Sequence, residues 1–187
     1  MPTVLTPPDA ARAGAGDILP RITLVLGGAR SGKSAYAEGL AFLGGSARYL
    51  ATAQAFDDEM TARIDLHKSR RGAGWTTFEE PLDLVGALTR IAQPDAPVLV
   101  DCLTLWTSNL LFAERDLEAE GDALAGCLRG LNGSVIFVAN EVGLGIVPDN
   151  ALARRFRDAA GRLNQKIAAA ADRVVFVAAG LPMILKG

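Results

Sequence analysis

The chain has 187 residues, half of them hydrophobic and 21% charged, with a formal net charge of -2, which suits one globular domain and excludes long disordered or fibrous chains. A near-neutral balance disfavours a nucleic acid partner held by phosphate neutralisation, and no apolar run reaches the roughly 18–20 residues of a membrane span. Cys102 and Cys127, with a single histidine in the chain, form neither a disulfide framework nor a zinc pattern, so a reducing cytoplasm is the expected setting and neither secretion nor membrane insertion is expected.

Residues 1–20 are rich in Pro, Ala and Gly without any sustained period, which predicts a flexible N-terminal extension. A single domain is expected over 21–187. It opens with the apolar run ITLVL, 22–26, a strand buried on both faces. The string Gly27, Gly28, Ala29, Arg30, Ser31, Gly32, Lys33, Ser34 follows at once and satisfies the G-x-x-x-x-G-K-[ST] pattern of a phosphate-binding P-loop. Glycines let the chain wrap an anion with its N–H groups, at the positive end of a helix starting near Lys33. The Lys33 ammonium suits the β- and γ-phosphates, and the Ser34 hydroxyl suits the Mg²⁺ that accompanies a triphosphate.

A second strand is expected at RYLAT, 48–52. The segment 57–71 then begins with Asp57, Asp58 and Glu59 and ends with Lys68, Arg70 and Arg71, an order that complements a helix dipole. Met60, Ile64, His67 and Arg71 share one helical stripe. On spacing alone His67 is open to two readings, a partly buried histidine bonded to a neighbour, or a neutral imidazole that attacks phosphorus beside cations.

WTTF, 75–78, is a weaker strand, and PVLVD, 97–101, a strong one. Asp101 ends that run, where a Walker-B-type aspartate would reach the metal; capping the next helix is the alternative. VIFVA, 135–139, is followed by the glycine-containing stretch NEVGLGIVPDN, at the edge where open α/β sheets bind ligands. A helix is expected after Pro148, with Leu152, Phe156, Leu163 and Ile167 on its apolar face and Pro148 near its first turn. RVVFVA, 173–178, is the last expected strand. Strands alternating with helices imply a parallel sheet between two helical layers. Trp75 and Trp106 read as core or interface residues. An N-K-x-D guanine-reading motif is absent from the sequence, which argues against a regulatory switch GTPase.

The stretches LGGARSGKSAYAE, YLATAQAFDDEM, ARIDLHKSRRGAGW, VLVDCLTLWTSNLL, VANEVGLGIVPDNALARRFRDAAGRLNQ and GLPMILKG closely resemble the bifunctional adenosylcobinamide kinase/adenosylcobinamide-phosphate guanylyltransferase family. The likeness spans nearly everything beyond residue 20. It implies a three-layer α/β P-loop NTPase fold of the RecA-like type with a mostly parallel sheet, and two reactions. In the first, ATP or GTP phosphorylates adenosylcobinamide. In the second, GMP passes from GTP through a guanylyl-histidine to adenosylcobinamide phosphate, giving adenosylcobinamide-GDP and pyrophosphate.

Carried over by position, the resemblance makes His67 and Lys33 catalytic. It puts nucleotide contacts on Gly27 to Ser34, Ala51, Thr52, Ala53, Lys68, Ser69, Arg70, Arg71, Glu79 and Asp101, and Mg²⁺ on Ser34 and Asp101. Some members carry two adjacent histidines; here Leu66 precedes His67. The resemblance further implies a homotrimer, with no tightly bound organic cofactor and no nucleic acid partner.

Overall fold

The computed structural model describes residues 19–53 and 72–187. In chain order its elements are β1 (Ile22–Gly27), α1 (Lys33–Ala41), β2 (Ala47–Ala51), β3 (Trp75–Glu79), α2 (Leu84–Ile91), β4 (Val98–Asp101), α3 (Leu103–Phe112), α4 (Leu117–Cys127), β5 (Val135–Asn140), α5 (Ala151–Ala170), β6 (Arg173–Ala178) and β7 (Leu181–Lys186). A 3₁₀ turn, Leu128–Gly130, follows α4. The sheet runs β3-β2-β4-β5-β1-β6-β7. Its first six strands are parallel, and β7 is antiparallel to β6.

Continuous apolar runs become central strands because both of their faces are covered. Every residue of β1 is buried, and the pleat sends its side chains alternately to two cores. Leu24 and Leu26 join one cluster with Leu84 and Leu88 of α2, Trp106 and Leu110 of α3, Leu124 of α4, and Leu163 and Ile167 of α5. Val25 faces the other, with Ala37 and Ala41 of α1, Tyr49, Leu99, Ile136 and Val175. Each large aliphatic side chain buried this way contributes about 1.5–3 kcal/mol. The expected three layers are present.

Helix starts follow side-chain chemistry. Asp83 accepts from Gly86 N at the head of α2, and Asp116 accepts from Glu118 N and Ala119 N at the head of α4. The helix expected after Pro148 begins at Ala151, where Asn150 caps it by accepting from Ala153 N at 2.7 Å. Pro148 therefore lies in the preceding loop. Of the expected apolar face, Leu163 and Ile167 are buried, but Leu152, in the first turn, is 53% exposed.

Trp106 is fully buried in the first core and donates Nε1–H to the Leu82 carbonyl at 2.8 Å. Trp75 is half-buried and stacks on Phe42 with centroids 5.5 Å apart. The weak run WTTF forms β3 at one edge of the sheet. At the other edge lies β7, all six residues of it exposed, a strand the sequence reading did not contain. Pro182 is tolerated there because an edge strand need not donate on its outer side.

Candidate phosphate-binding and transfer site

The parallel register lines up the carboxyl ends of five strands. Glu79 pairs with Ala51, Ala51 with Asp101, Asp101 with Val138, and Val138 with Val25. The phosphate loop leaves β1 just beyond this row. Asp101 thus lies two strands from β1, roughly 10 Å across the sheet, with β5 between them. Gly27 is opposite Asn140, and the Glu141 amide donates to the Gly27 carbonyl at 3.1 Å, closing the ladder where the loop begins.

Steric limits explain the loop glycines. A Cβ on Gly27 would lie 2.5 Å from both the Val177 carbonyl oxygen and Ser31 Oγ. Gly32 has φ 93°, a left-handed conformation that disfavours other residues, and flanks the first residue of α1. Arg30 is also left-handed, at φ 57°. Left-handed residues spaced in this way are what lets successive N–H groups turn toward one concavity that suits an anion. Lys33 is 8% exposed, and its Nζ reaches back over the loop to the Gly28 carbonyl at 3.1 Å. Gly28 and Ser34 are half-buried; Ala29 and Arg30 are exposed.

At the neighbouring strand ends, Asp101 is half-buried and its Oδ2 accepts from Tyr49 Oη at 3.1 Å. The residue flanking α3 is Cys102, one position later, so Asp101 does not sit at the capping position. Thr52 is fully buried: its hydroxyl donates to the Cys102 carbonyl at 2.8 Å and accepts from Cys102 N at 2.9 Å. Ala51 is buried, Ala53 half-buried, and Glu79 exposed at the end of β3. Burial first, then the Asp101 charge, pushes the Cys102 thiol up to about 12. That thiol stays protonated and is no nucleophile.

His67, Lys68, Ser69, Arg70 and Arg71 lie outside the described residues, as do residues 1–18 of the expected extension. The structure brings together the loop, Asp101, Ala51–Ala53 and Glu79 along one sheet edge. It also adds parts that sequence reasoning did not single out. Asn109, in α3, donates through Nδ2 to the Thr52 carbonyl at 2.7 Å and to the Pro81 carbonyl at 3.1 Å, tying the ends of β2 and β3 together. Thr104 Oγ1 accepts from Asn140 N at 2.7 Å. Gly180 N donates to the Ser31 carbonyl at 2.8 Å. Only Gly180 left a signal, as a turn residue between two apolar runs.

Known proteins resemble this chain in sequence and in fold. The family model described as cobinamide kinase / cobinamide phosphate guanyltransferase matches residues 23–185. The chain belongs to this cobinamide kinase/guanyltransferase family. Among its relatives, the bifunctional adenosylcobalamin biosynthesis protein CobP of Pseudomonas aeruginosa is 53% identical over 167 residues, covering 88% of this chain and 96% of the relative. The bifunctional adenosylcobalamin biosynthesis protein CobU of Salmonella typhimurium is 44% identical over 178 residues, covering 87% and 98%. The flagellar accessory protein FlaH from Methanocaldococcus jannaschii shares the fold, with a TM-score of 0.54 and 14% identity over 95% of this chain and 84% of that one. For this family member, the hydroxyl of Ser34 and the carboxylate of Asp101 are hard oxygen donors, the chemistry that fits Mg²⁺.

Proposed function

We propose that the protein catalyses both reactions of its family at the carboxyl edge of its sheet. The kinase step transfers the γ-phosphoryl group of ATP or GTP to the hydroxyl of adenosylcobinamide. The guanylyltransferase step moves GMP from GTP to the resulting phosphate. The observation that carries this reading is the loop Gly27–Ser34, with Lys33 folded over a nest of backbone N–H groups at the start of α1. In the second step a His67 ring nitrogen attacks the α-phosphorus; the N–P bond forms, the bond to the β-phosphate breaks, and pyrophosphate leaves. A phosphate oxygen of the corrinoid then attacks the same phosphorus and returns His67 to its free form.

Lys33 neutralises charge on the transferred groups, and the glycine N–H groups hold the phosphates in place. Lys68, Ser69, Arg70, Arg71, Ala51, Thr52, Ala53 and Glu79 complete the nucleotide contacts in this proposal. Ser34 and Asp101 would hold Mg²⁺, which would neutralise phosphate charge when bound.

Residues 21–187 form the catalytic domain in this reading and residues 1–20 its extension. We also propose a homotrimer in the cytoplasm. Support for assembly comes from β7, which exposes Leu181, Met183, Ile184 and Leu185 at 53–62%, an apolar surface of the kind that marks interfaces. Support for the compartment comes from the nucleotide substrates and from Cys102 and Cys127, both free thiols. Among the described residues no helix is long and apolar enough to cross a membrane.

Labelling with GTP radioactive at the α-phosphate tests the covalent step. Wild type is expected to retain an acid-labile, alkali-stable label that His67→Ala lacks, while His67→Ala keeps the kinase step and Lys33→Ala impairs both. A folded wild-type protein that consumes GTP and adenosylcobinamide phosphate without ever carrying label would refute the histidine intermediate.

A further inference from the structure

The hairpin β6–β7 lies against both ends of the phosphate loop. At the loop entrance, the Val177 carbonyl oxygen lies 2.5 Å from where a Gly27 Cβ would be. At its exit, a Cβ on Gly32 would be 3.1 Å from Gly180 Cα and 3.9 Å from Val177 Cγ1. Between these two contacts runs one hydrogen bond, from Gly180 N–H to the Ser31 carbonyl, at 2.8 Å.

The turn that supplies this N–H has a form that leaves it free of the strand ladder. Ala178 pairs with Leu181, so only Ala179 and Gly180 connect the strands. Their φ values, 51° and 80°, are both positive, as in the two-residue turns whose twist matches a hairpin. In such a turn the strand ladder does not use the N–H of the second central residue, which leaves it able to point outward at the loop. Strand β7 buries none of its own six residues, yet it pairs with β6 from Ala178 to Val174. Its contribution to this chain is therefore to hold that turn in place, not to fill the core.

We propose that Gly180 is a positioning residue for the nucleotide, because its N–H draws the Ser31 carbonyl outward and so turns the Gly32 N–H inward to the phosphates. The geometry follows from the planar trans peptide, whose C=O and N–H point in opposite directions. Anchoring the Ser31 carbonyl on the hairpin fixes the Gly32 N–H on the opposite side; Arg30 and Gly32 are both left-handed, the backbone form in which neighbouring amides gather around an anion. With the anchor gone, the peptide is free to rotate, and the nest loses a donor before any phosphate arrives. The inference rests on the reading of Gly27–Ser34 as the triphosphate site.

Three full-length variants test it, by affinity for a fluorescent GTP analogue, by KM and kcat for GTP, and by thermal midpoint. Gly180→Asn keeps the N–H and accepts positive φ; it is expected to bind within about threefold of wild type. Gly180→Val resists positive φ and is expected to weaken binding and raise KM at least about tenfold, with a smaller change in kcat. Replacing the Gly180 residue by glycolic acid deletes only the N–H, and the same loss of affinity is expected with the hairpin otherwise intact. If Gly180→Val fails to fold, the ester variant decides. A folded ester or valine variant with a lowered thermal midpoint but wild-type affinity would overturn the proposal, since that is the signature of a purely structural hairpin. A wild-type protein that binds no GTP would instead overturn the triphosphate reading itself.

Discussion

Asn109 links α3 to two strand ends of the candidate site, and its replacement has a calculable cost. The side chain is 6% exposed, and its amide donates to the carbonyls of Thr52 and Pro81 at 2.7 and 3.1 Å. In Asn109→Leu, branched at the same carbon but larger, both carbonyls lose their donor. Leaving one buried polar group unsatisfied costs about 1–3 kcal/mol. Two would cost about 2–6 kcal/mol, and the added apolar contact of leucine offsets about 1–2 kcal/mol of that, leaving about 1–4 kcal/mol. For a chain of this length each kcal/mol lowers the midpoint by about 2–4 °C, so a fall of about 2–16 °C is expected.

Asn109→Asp should be worse near neutral pH, because an ionised carboxylate then faces two carbonyl oxygens; it should recover partly in acid, when the carboxyl regains a donor proton. Urea unfolding of the three proteins at pH 7 and pH 5 measures both effects. A loss below about 0.5 kcal/mol in Asn109→Leu, the range of an ordinary surface change, would refute the bridging role.

Gly27→Ala puts a methyl group 2.5 Å from the Val177 carbonyl oxygen; a destabilisation of about 1–3 kcal/mol and weaker GTP binding are expected, by chemical denaturation and by titration with a fluorescent GTP analogue. Ellman titration of the native protein should reach Cys127, which is half-buried, but not Cys102, which is 4% exposed; both should react once the chain is denatured. Glu118 of α4 pairs with Lys166 at 2.8 Å and with Arg162, both on α5, and these bonds hold its carboxyl below its ordinary 4.5. A lowered carboxyl pKa stabilises the fold above the unfolded value, and that contribution disappears as pH falls through the folded value. Glu118→Gln should therefore be less stable than wild type at pH 7, with the difference shrinking below about pH 4.5, as followed by thermal unfolding across pH.

Much of the fold was legible because its signals are local. ITLVL, VIFVA and RVVFVA are dominated by apolar residues, and each became a parallel strand, with β1 buried throughout and β6 buried at Val174, Val175 and Val177. The phosphate loop was readable for a similar reason: eight consecutive residues carry its glycines, its cation and its hydroxyl. Boundaries were less secure. The helix expected after Pro148 is present as α5, but its first residue is set by Asn150, whose side chain accepts from Ala153 N. The run LPMIL, with a proline and no alternation, gave no indication of an antiparallel edge strand.

The sequence by itself determined that this protein carries a P-loop on a strand-to-helix turn, that Asp101 ends a buried strand, and which family it resembles, since each depends on residues close together in the chain. Only the tertiary structure decided what surrounds the loop. Register set Glu79, Ala51 and Asp101 in one row. It also brought Gly180, 149 positions beyond Ser31, within 2.8 Å of the Ser31 carbonyl. The contact joins two backbone groups, an amide and a carbonyl that every non-proline residue possesses. No side-chain pattern encodes such a bond, and chain folding alone selects it.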